Sequence, residues 1–427
     1  MSAQIDAPKY TYLKRGVYYF VMWLVMGIDA LESATACSFN CQKGSLIGLE
    51  SIRSAANSFN PDFGDIKEFY WNERLTKLKE NQKYCSAGVW SEKFPRNGFT
   101  EDESLITEEI RVIGDNLYNH FSNAWPFGIW LYRNQLRALG ANDPSILTKP
   151  LMAAVTGKAF TQMEPVRFRN APKNYPQYAE QKAHAYMVLM AMALSYASVE
   201  EYLNDQQRES FKTWGIHFFE SMKQYDDGVD TLEDIIKLSG PDRGSIKIMG
   251  LTIWASVMRN ESLLREALGQ YLAAIEAINA SGWHKKFMKG HKLNEIRYTN
   301  DTYGALAITA FFLERAGFPA WNAKNSDGVS LKDGVTSLLN YLETGADPKI
   351  PEPQKSLEQM LYHSRSNVGT LAWTEYVNLI PNHGLEPRFL KLINKMRNTG
   401  PQPQSQSRDG LYSFVHGGYT TCFLANL

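Results

Sequence analysis

The feature that most restricts this 427-residue chain is the recurrence of helical apolar spacing along most of its length. Apolar residues three and four apart mark helices over 45–57, 105–122, 130–139, 179–198, 206–222, 246–259, 262–278, 303–316, 331–342, 356–379 and 386–396. Clusters of Gly, Pro and Asn separate them, and strand-like alternation is confined to 409–423. Consecutive helices joined by modest loops form helical hairpins. Ten or more of them without a fixed-period repeat predict an all-α, incomplete (α/α) toroid of helical hairpins rather than a regular solenoid. The segments 60–97 and 346–354 are candidate cleft loops.

Charge excludes some partners. Lys plus Arg equals Asp plus Glu, so no global field draws the chain to nucleic acid or an acidic membrane surface. A polyanion would have to be held by a local basic cleft. Ten Trp and twenty-two Tyr exceed a minimal core requirement and suit a groove that stacks sugar rings.

The N-terminus has the three parts of a secretory signal: Lys14 and Arg15, an apolar run over 17–28, and Ala34-Thr35-Ala36. That run is shorter than the roughly 20 residues that span a bilayer, so no membrane span is expected. The alternative is a buried first helix, favoured by Asp29 and Glu32 near the cleavage point. The expected organisation is a signal over 1–36, the toroid over 37–400, and a linker with a terminal segment over 401–427, in an exported, periplasmic or secreted, monomer. Cys37, Cys41, Cys85 and Cys422 lack the paired spacing of a zinc site. After export they allow one or two disulfides of undetermined connectivity. No metal or other cofactor is called for.

Two stretches carry the chemistry. Residues 285–317 combine a helix over 303–316, closed by Gly317, with a polar first half read as a turn. That half holds His291, Lys292, Glu295, Arg297, Tyr298 and Asp301, with Tyr303 at its end; the bland alternative is a solvated cap on a core helix. Residues 167–178 place Arg167, Arg169, Asn170, Asn174, Tyr175 and Tyr178 before the apolar helix at 179–198. Two arginines, two amides and two aromatics there suit an acidic sugar, by bidentate carboxylate contacts and stacking. The same residues also make an ordinary interhelical loop broken by Pro172 and Pro176. His184, one turn into that helix, reads as a core histidine more readily than a catalytic one.

Residues 240–317 resemble the alginate-lyase-like family of polysaccharide lyases. The pieces that carry the resemblance are Arg259-Asn260-Glu261-Ser262-Leu263-Leu264, Glu266-Ala267-Leu268-Gly269-Gln270-Tyr271, Tyr298-Thr299-Asn300, Ala305-Leu306 and Leu313-Glu314-Arg315-Ala316-Gly317. The resemblance implies an incomplete (α/α) toroid that cleaves a uronic-acid polysaccharide, glucuronan or alginate/polymannuronate, by β-elimination. It places the family's catalytic tyrosine on Tyr298, with Tyr303 as runner-up. The family's Asn-His pair falls on Asp242-Arg243, so no histidine stands there. The family arginine lands on His291, with Lys292 and Arg297 nearby. These departures point to a branch acting on another acidic polysaccharide, or to a member that binds without cutting.

The implied roles follow from the reaction. Arg243, with Asn300 assisting, would neutralise the substrate carboxylate; Tyr298 would move protons, its pKa lowered by Arg297 or Lys292. Arg167, Arg169, Asn170, Tyr178, His184, Lys247, His291, Lys292 and Tyr303 are the expected substrate-binding set. A different class, an inverting (α/α) glycoside hydrolase, would use carboxylates from Asp226, Asp227, Asp230 and Glu233. A third is a non-catalytic periplasmic exopolysaccharide-binding factor.

Overall fold

The computed structural model describes residues 48–63, 76, 106–116, 119–165, 169, 173, 177–225, 231–236, 241–285 and 292–344. The expected signal, all four cysteines, the helices over 356–396 and the strand-like 409–423 lie outside these residues, as do Arg167, Asn170, Asn174, Tyr175 and His291. All described residues belong to one compact unit, Leu46–Leu427.

The described elements are α1 (Leu49–Ser58), β1 (Glu109–Ile110), β2 (Val112–Asn116), β3 (Asn119–Ser122), α2 (Ala124–Ala141), α3 (Ser145–Thr156), β4 (Gln162–Met163), α4 (Ala179–Val199), α5 (Asp205–Met222), α6 (Leu232–Ile236), α7 (Pro241–Val257), α8 (Glu261–Glu276), α9 (Lys292–Arg315) and α10 (Leu331–Thr344). Helix starts are written in local chemistry. Asn204 and Gln207 form a reciprocal capping box at α5: the Asn204 side chain accepts from the Gln207 amide at 2.9 Å, and Gln207 accepts from the Asn204 amide at 3.0 Å. Asn260 caps α8 by accepting from the Leu263 amide at 3.1 Å. Pro241 takes the first position of α7, where its missing N–H costs nothing. Gly317, at φ +90°, closes α9.

The helices pair in chain order and build two layers. The first helices of four successive hairpins, α2, α4, α7 and α9, pack side by side as an inner layer. Their partners α3, α5, α8 and α10 lie outside, with α1 and α6 covering α8. This is the all-α, incomplete (α/α) toroid arrangement. α4 is apolar around nearly its whole circumference, from Ala185 to Ala193 without an accessible side chain, as a helix must be when neighbours surround it.

Inner helices α4 and α7 run in the same direction. Glu180 meets Arg243, and Tyr186 meets Gly250, so both helices advance together. At the second contact the chains nearly touch: a Cβ on Gly250 would lie 2.7 Å from the Tyr186 carbonyl oxygen. α9 shares that direction. Tyr303, near its middle, reaches Gly282 beyond the end of α8, while Phe318, past its end, packs on Phe59, whose carbonyl receives Arg265 from the first half of α8. α9 therefore runs against α8, and hence with α7. An aromatic cluster ties outer α5 to both inner helices: Phe211 stacks on Tyr196 at 4.2 Å and on Trp254 at 5.2 Å. Gly215 leaves room for the Trp254 ring, which a Cβ would meet at 1.9 Å.

Two sequence expectations are corrected. Residues 105–122 do not form a helix: 109–110 pairs in parallel with 162–163, and β2 and β3 form an antiparallel hairpin. The polar half of 285–317 is not a turn from 292 onward, because α9 already begins at Lys292.

Candidate active site

Because the inner helices are parallel, their first turns gather at one end, and the candidate residues with them. Glu180 is the second residue of α4 and Arg243 the third of α7. The Arg243 guanidinium donates through Nε at 3.0 Å and through a terminal nitrogen at 2.5 Å to the same Glu180 carboxylate oxygen. Both side chains are largely buried, at 23% and 15% exposure, so this is a desolvated, charge-assisted contact rather than a surface pair. One turn deeper the same register brings His184 and Lys247 to one level, both buried.

On α9, Tyr298 is half-buried, while Asn300 and Asp301 turn inward. Of the expected catalytic set, Arg243, Tyr298 and Asn300 thus lie on the neighbouring helices α7 and α9. Arg297 and Lys292 belong to the first turns of α9, and their side chains are outside the described set.

Tyr303 requires a correction. Its ring is fully buried and its hydroxyl donates to the Gly282 carbonyl at 2.6 Å. Burial pushes its pKa well above the usual tyrosine value, so it stays protonated. A Cβ on Gly334 would sit 2.9 Å from the ring tip, which shows how tightly the head is enclosed. Tyr303 fastens α9 to the segment after α8 and is neither base nor sugar contact.

Beside the mouth of α4 stands an aromatic pair, Tyr178 and Tyr225, with ring centroids 4.8 Å apart. Tyr225 is pinned twice: the Met163 amide donates to its hydroxyl at 3.1 Å, and the Lys182 ammonium to its carbonyl at 2.7 Å. The Gln181 amide reaches the Glu164 carbonyl at 3.0 Å, fixing the same corner. Sequence reasoning found Tyr178 but missed Glu180, Lys182 and Tyr225, since their partners lie 43 to 63 residues away. Arg169 lies in a turn and is exposed. On α8, burial raises the Glu266 carboxyl, opposed by Lys247 and Lys223, although the side chain keeps accessible surface. Of the hydrolase carboxylates, Glu233 pairs at 2.9 Å with Arg53 of α1, away from these first turns, and 226–230 lie outside the described residues. Among the described residues no group of three His, Cys, Asp or Glu is placed to hold a metal ion, and no helix is long and apolar enough to cross a membrane.

Residues 170–349 match the family model described as alginate lyase, a span that includes Arg243, Tyr298 and Asn300. That segment is alginate-lyase-like. Its fold is that of alginate lyase A1-III from Sphingomonas species A1, with a TM-score of 0.58 over 87% of this chain and 98% of that one, at 15% identity. Two variants of the same lyase complexed with tetrasaccharide are also similar. One carries a histidine-to-alanine change (TM-score 0.56, 14% identity, 85% of this chain and 96% of that one). The other carries a tyrosine-to-phenylalanine change (0.54, 14%, 87% and 98%). No curated protein matches in sequence. The alginate-lyase-like segment begins just before α4 and ends just after α10, so it covers the inner helices α4, α7 and α9 whose first turns form the candidate site.

Proposed function

We propose that this protein is a polysaccharide lyase that cleaves a uronic-acid polysaccharide, alginate or glucuronan, by β-elimination. The observation that carries the proposal is the position of Arg243, Asn300 and half-buried Tyr298 on adjacent helices within the segment matching alginate lyase. The C5 proton of a uronate is weakly acidic because it lies beside a carboxylate. Offsetting that carboxylate's charge lowers the barrier to the enolate-like intermediate. Arg243 supplies the charge, and Asn300 a hydrogen bond. The Tyr298 oxygen takes the C5 proton, the C4–O bond breaks to leave a C4=C5 double bond, and a proton passes to the departing glycosidic oxygen.

In this scheme Arg297 or Lys292, which precede Tyr298 in the chain, supplies the cation that favours its ionised form, and His291 is a further contact to the polymer. Arg167, Arg169 and Asn170 contact the neighbouring uronates, and Tyr178 offers a face for stacking. His184 and Lys247, both buried one turn below Glu180 and Arg243, line the floor of the binding set. An exported, periplasmic or secreted, location gives such an enzyme access to its polymer.

The test is ultraviolet absorbance during incubation with glucuronan, polymannuronate and polyguluronate, because only elimination conjugates a new double bond to the carboxylate. A rise with one polymer supports the proposal and names the substrate. New reducing ends without absorbance would replace it with hydrolysis.

A further inference from the structure

We propose that Tyr225 is a polymer-binding residue: with Tyr178 it forms a fixed aromatic ledge beside the candidate site, on which one sugar ring of a uronate polymer stacks. This rests on the lyase function proposed above, which supplies the identity of the polymer. Tyr178 is the residue on which α4 starts, two positions before Glu180, whose carboxylate takes the Arg243 guanidinium. The ledge therefore stands at the end of the inner layer where the first turns gather. Tyr225 arrives from the other direction, three residues past the end of α5. The two rings lie 4.8 Å apart at an interplanar angle of 58°, and each packs on the core yet stays half-buried. Tyr196 and Phe211, stacked at 4.2 Å, are by contrast fully enclosed and belong to the core itself.

The ledge is fastened more heavily than its burial requires. The Lys182 amide donates to the Tyr178 carbonyl at 2.9 Å and the Lys182 ammonium to the Tyr225 carbonyl at 2.7 Å, so one lysine ties both backbones. Lys182 is 2% exposed, and a buried cation is costly to keep. The Tyr225 hydroxyl accepts from the Met163 amide at 3.1 Å, which anchors the tip of the ring to β4. Gln181, 1% exposed, donates to the Glu164 carbonyl at 3.0 Å while its own Oε1 is buried without a hydrogen-bond partner. An unpaired buried acceptor is uncommon, and it stands here in the turn that holds the ledge in place. A ring face that keeps accessible surface and is already fixed loses little freedom when a ligand settles on it. A β-linked uronate ring carries its links and its carboxylate equatorially and C–H bonds axially, so it presents an apolar face that a tyrosine ring matches.

The experiment compares wild type, Tyr225→Leu, Tyr178→Leu, the double variant and Tyr225→Phe on the polymer that gives the absorbance rise and on size-fractionated oligomers of it, reading kcat, KM and thermal midpoint. Each leucine variant is expected to raise KM for the polymer by about 3- to 10-fold with kcat within about twofold of wild type. The difference from wild type vanishes on oligomers too short to reach the ledge. The double variant loses less than the product of the two single losses, because the rings act as one surface. Tyr225→Phe, which keeps the ring, raises KM less than Tyr225→Leu. Where Tyr225→Leu does not fold, Tyr178→Leu gives the same reading from the helix start. An aromatic pair that only holds the fold predicts equal losses on every length, with kcat falling alongside the midpoint, and that result overturns the proposal. Unchanged KM in both leucine variants overturns it too, and leaves the lyase function standing. A wild-type protein that eliminates no polymer removes the lyase function, and calorimetric titration with glucuronan and polymannuronate oligomers then decides the ledge. Weaker binding by Tyr225→Leu than by wild type upholds it; equal or absent binding overturns it.

Discussion

The two tyrosines of α9 give the sharpest test of the site. Tyr303→Phe deletes only the hydroxyl that donates to the Gly282 carbonyl at 2.6 Å. The ring stays enclosed against Gly334, so no cavity of consequence opens. The loss is that of a buried carbonyl left without its donor, about 1–3 kcal/mol. Unfolding entropy scales with length, and a unit of this size responds by about 1.2 °C per kcal/mol. Thermal denaturation should therefore show a midpoint lowered by about 1–4 °C, while kcat/KM stays within about twofold of wild type. Tyr298→Phe should behave in the opposite way: elimination reduced by at least about 100-fold, far beyond what any accompanying change in midpoint accounts for. The assays are scanning fluorimetry and the absorbance trace on one polymer. A Tyr303→Phe protein of unaltered midpoint and abolished elimination would refute the assignment of Tyr303 to the frame and of Tyr298 to the chemistry.

Gly250→Ala sets a Cβ 2.7 Å from the Tyr186 carbonyl oxygen, a backbone atom that cannot step aside, so α4 and α7 must part; the overpacking penalty of about 1–3 kcal/mol exceeds the helix-propensity gain of about 1, and both midpoint and kcat should fall. Glu233→Gln breaks only the accessible pair with Arg53, so elimination rates should match wild type and stability should move by less than about 1 kcal/mol; loss of activity would return the hydrolase carboxylates to consideration. Glu266 has a folded pKa raised above the ordinary 4.5, chiefly by burial. The folded protein thus holds its proton more tightly than the unfolded chain, and this contribution is full below about pH 4.5 and is lost as pH rises through the folded value. Glu266→Gln should flatten the decline in denaturant midpoint just above pH 4.5, and an unchanged profile would show that another group sets it.

Much of the fold was legible because a helix announces itself locally. The stretch over 179–198 is so apolar in its second half that it reads as a central helix, and α4 lies within one residue of it. Residues 105–122 failed for the converse reason. Their apolar spacing fits a helix, but 109–110 finds its partner at 162–163, and no local pattern reports a pairing across 53 residues. The start of α9 failed differently. From Lys292 to Asp301 the sequence is polar even though Thr299, Asn300 and Asp301 are buried, and periodicity of apolar residues cannot mark a helix whose inward face is itself polar. The same blindness hid Glu180: an acidic residue at a helix start looks like an ordinary dipole partner until a second helix brings an arginine to it. On paper Tyr303 is the runner-up to Tyr298, and burial separates the two further.

The close passage of α4 and α7 at Gly250 has a consequence for redesign. At that point the two helices pass at near-contact distance, about two turns from the first turns that carry Glu180 and Arg243. The rim and the frame are thus separable. Residues at that end which take no part in the elimination itself can be exchanged to suit a polymer with a different charge or spacing, while the layers beneath keep their register. A library confined to the opening turns of α4, α7 and α9 would explore new substrates without asking the protein to fold anew.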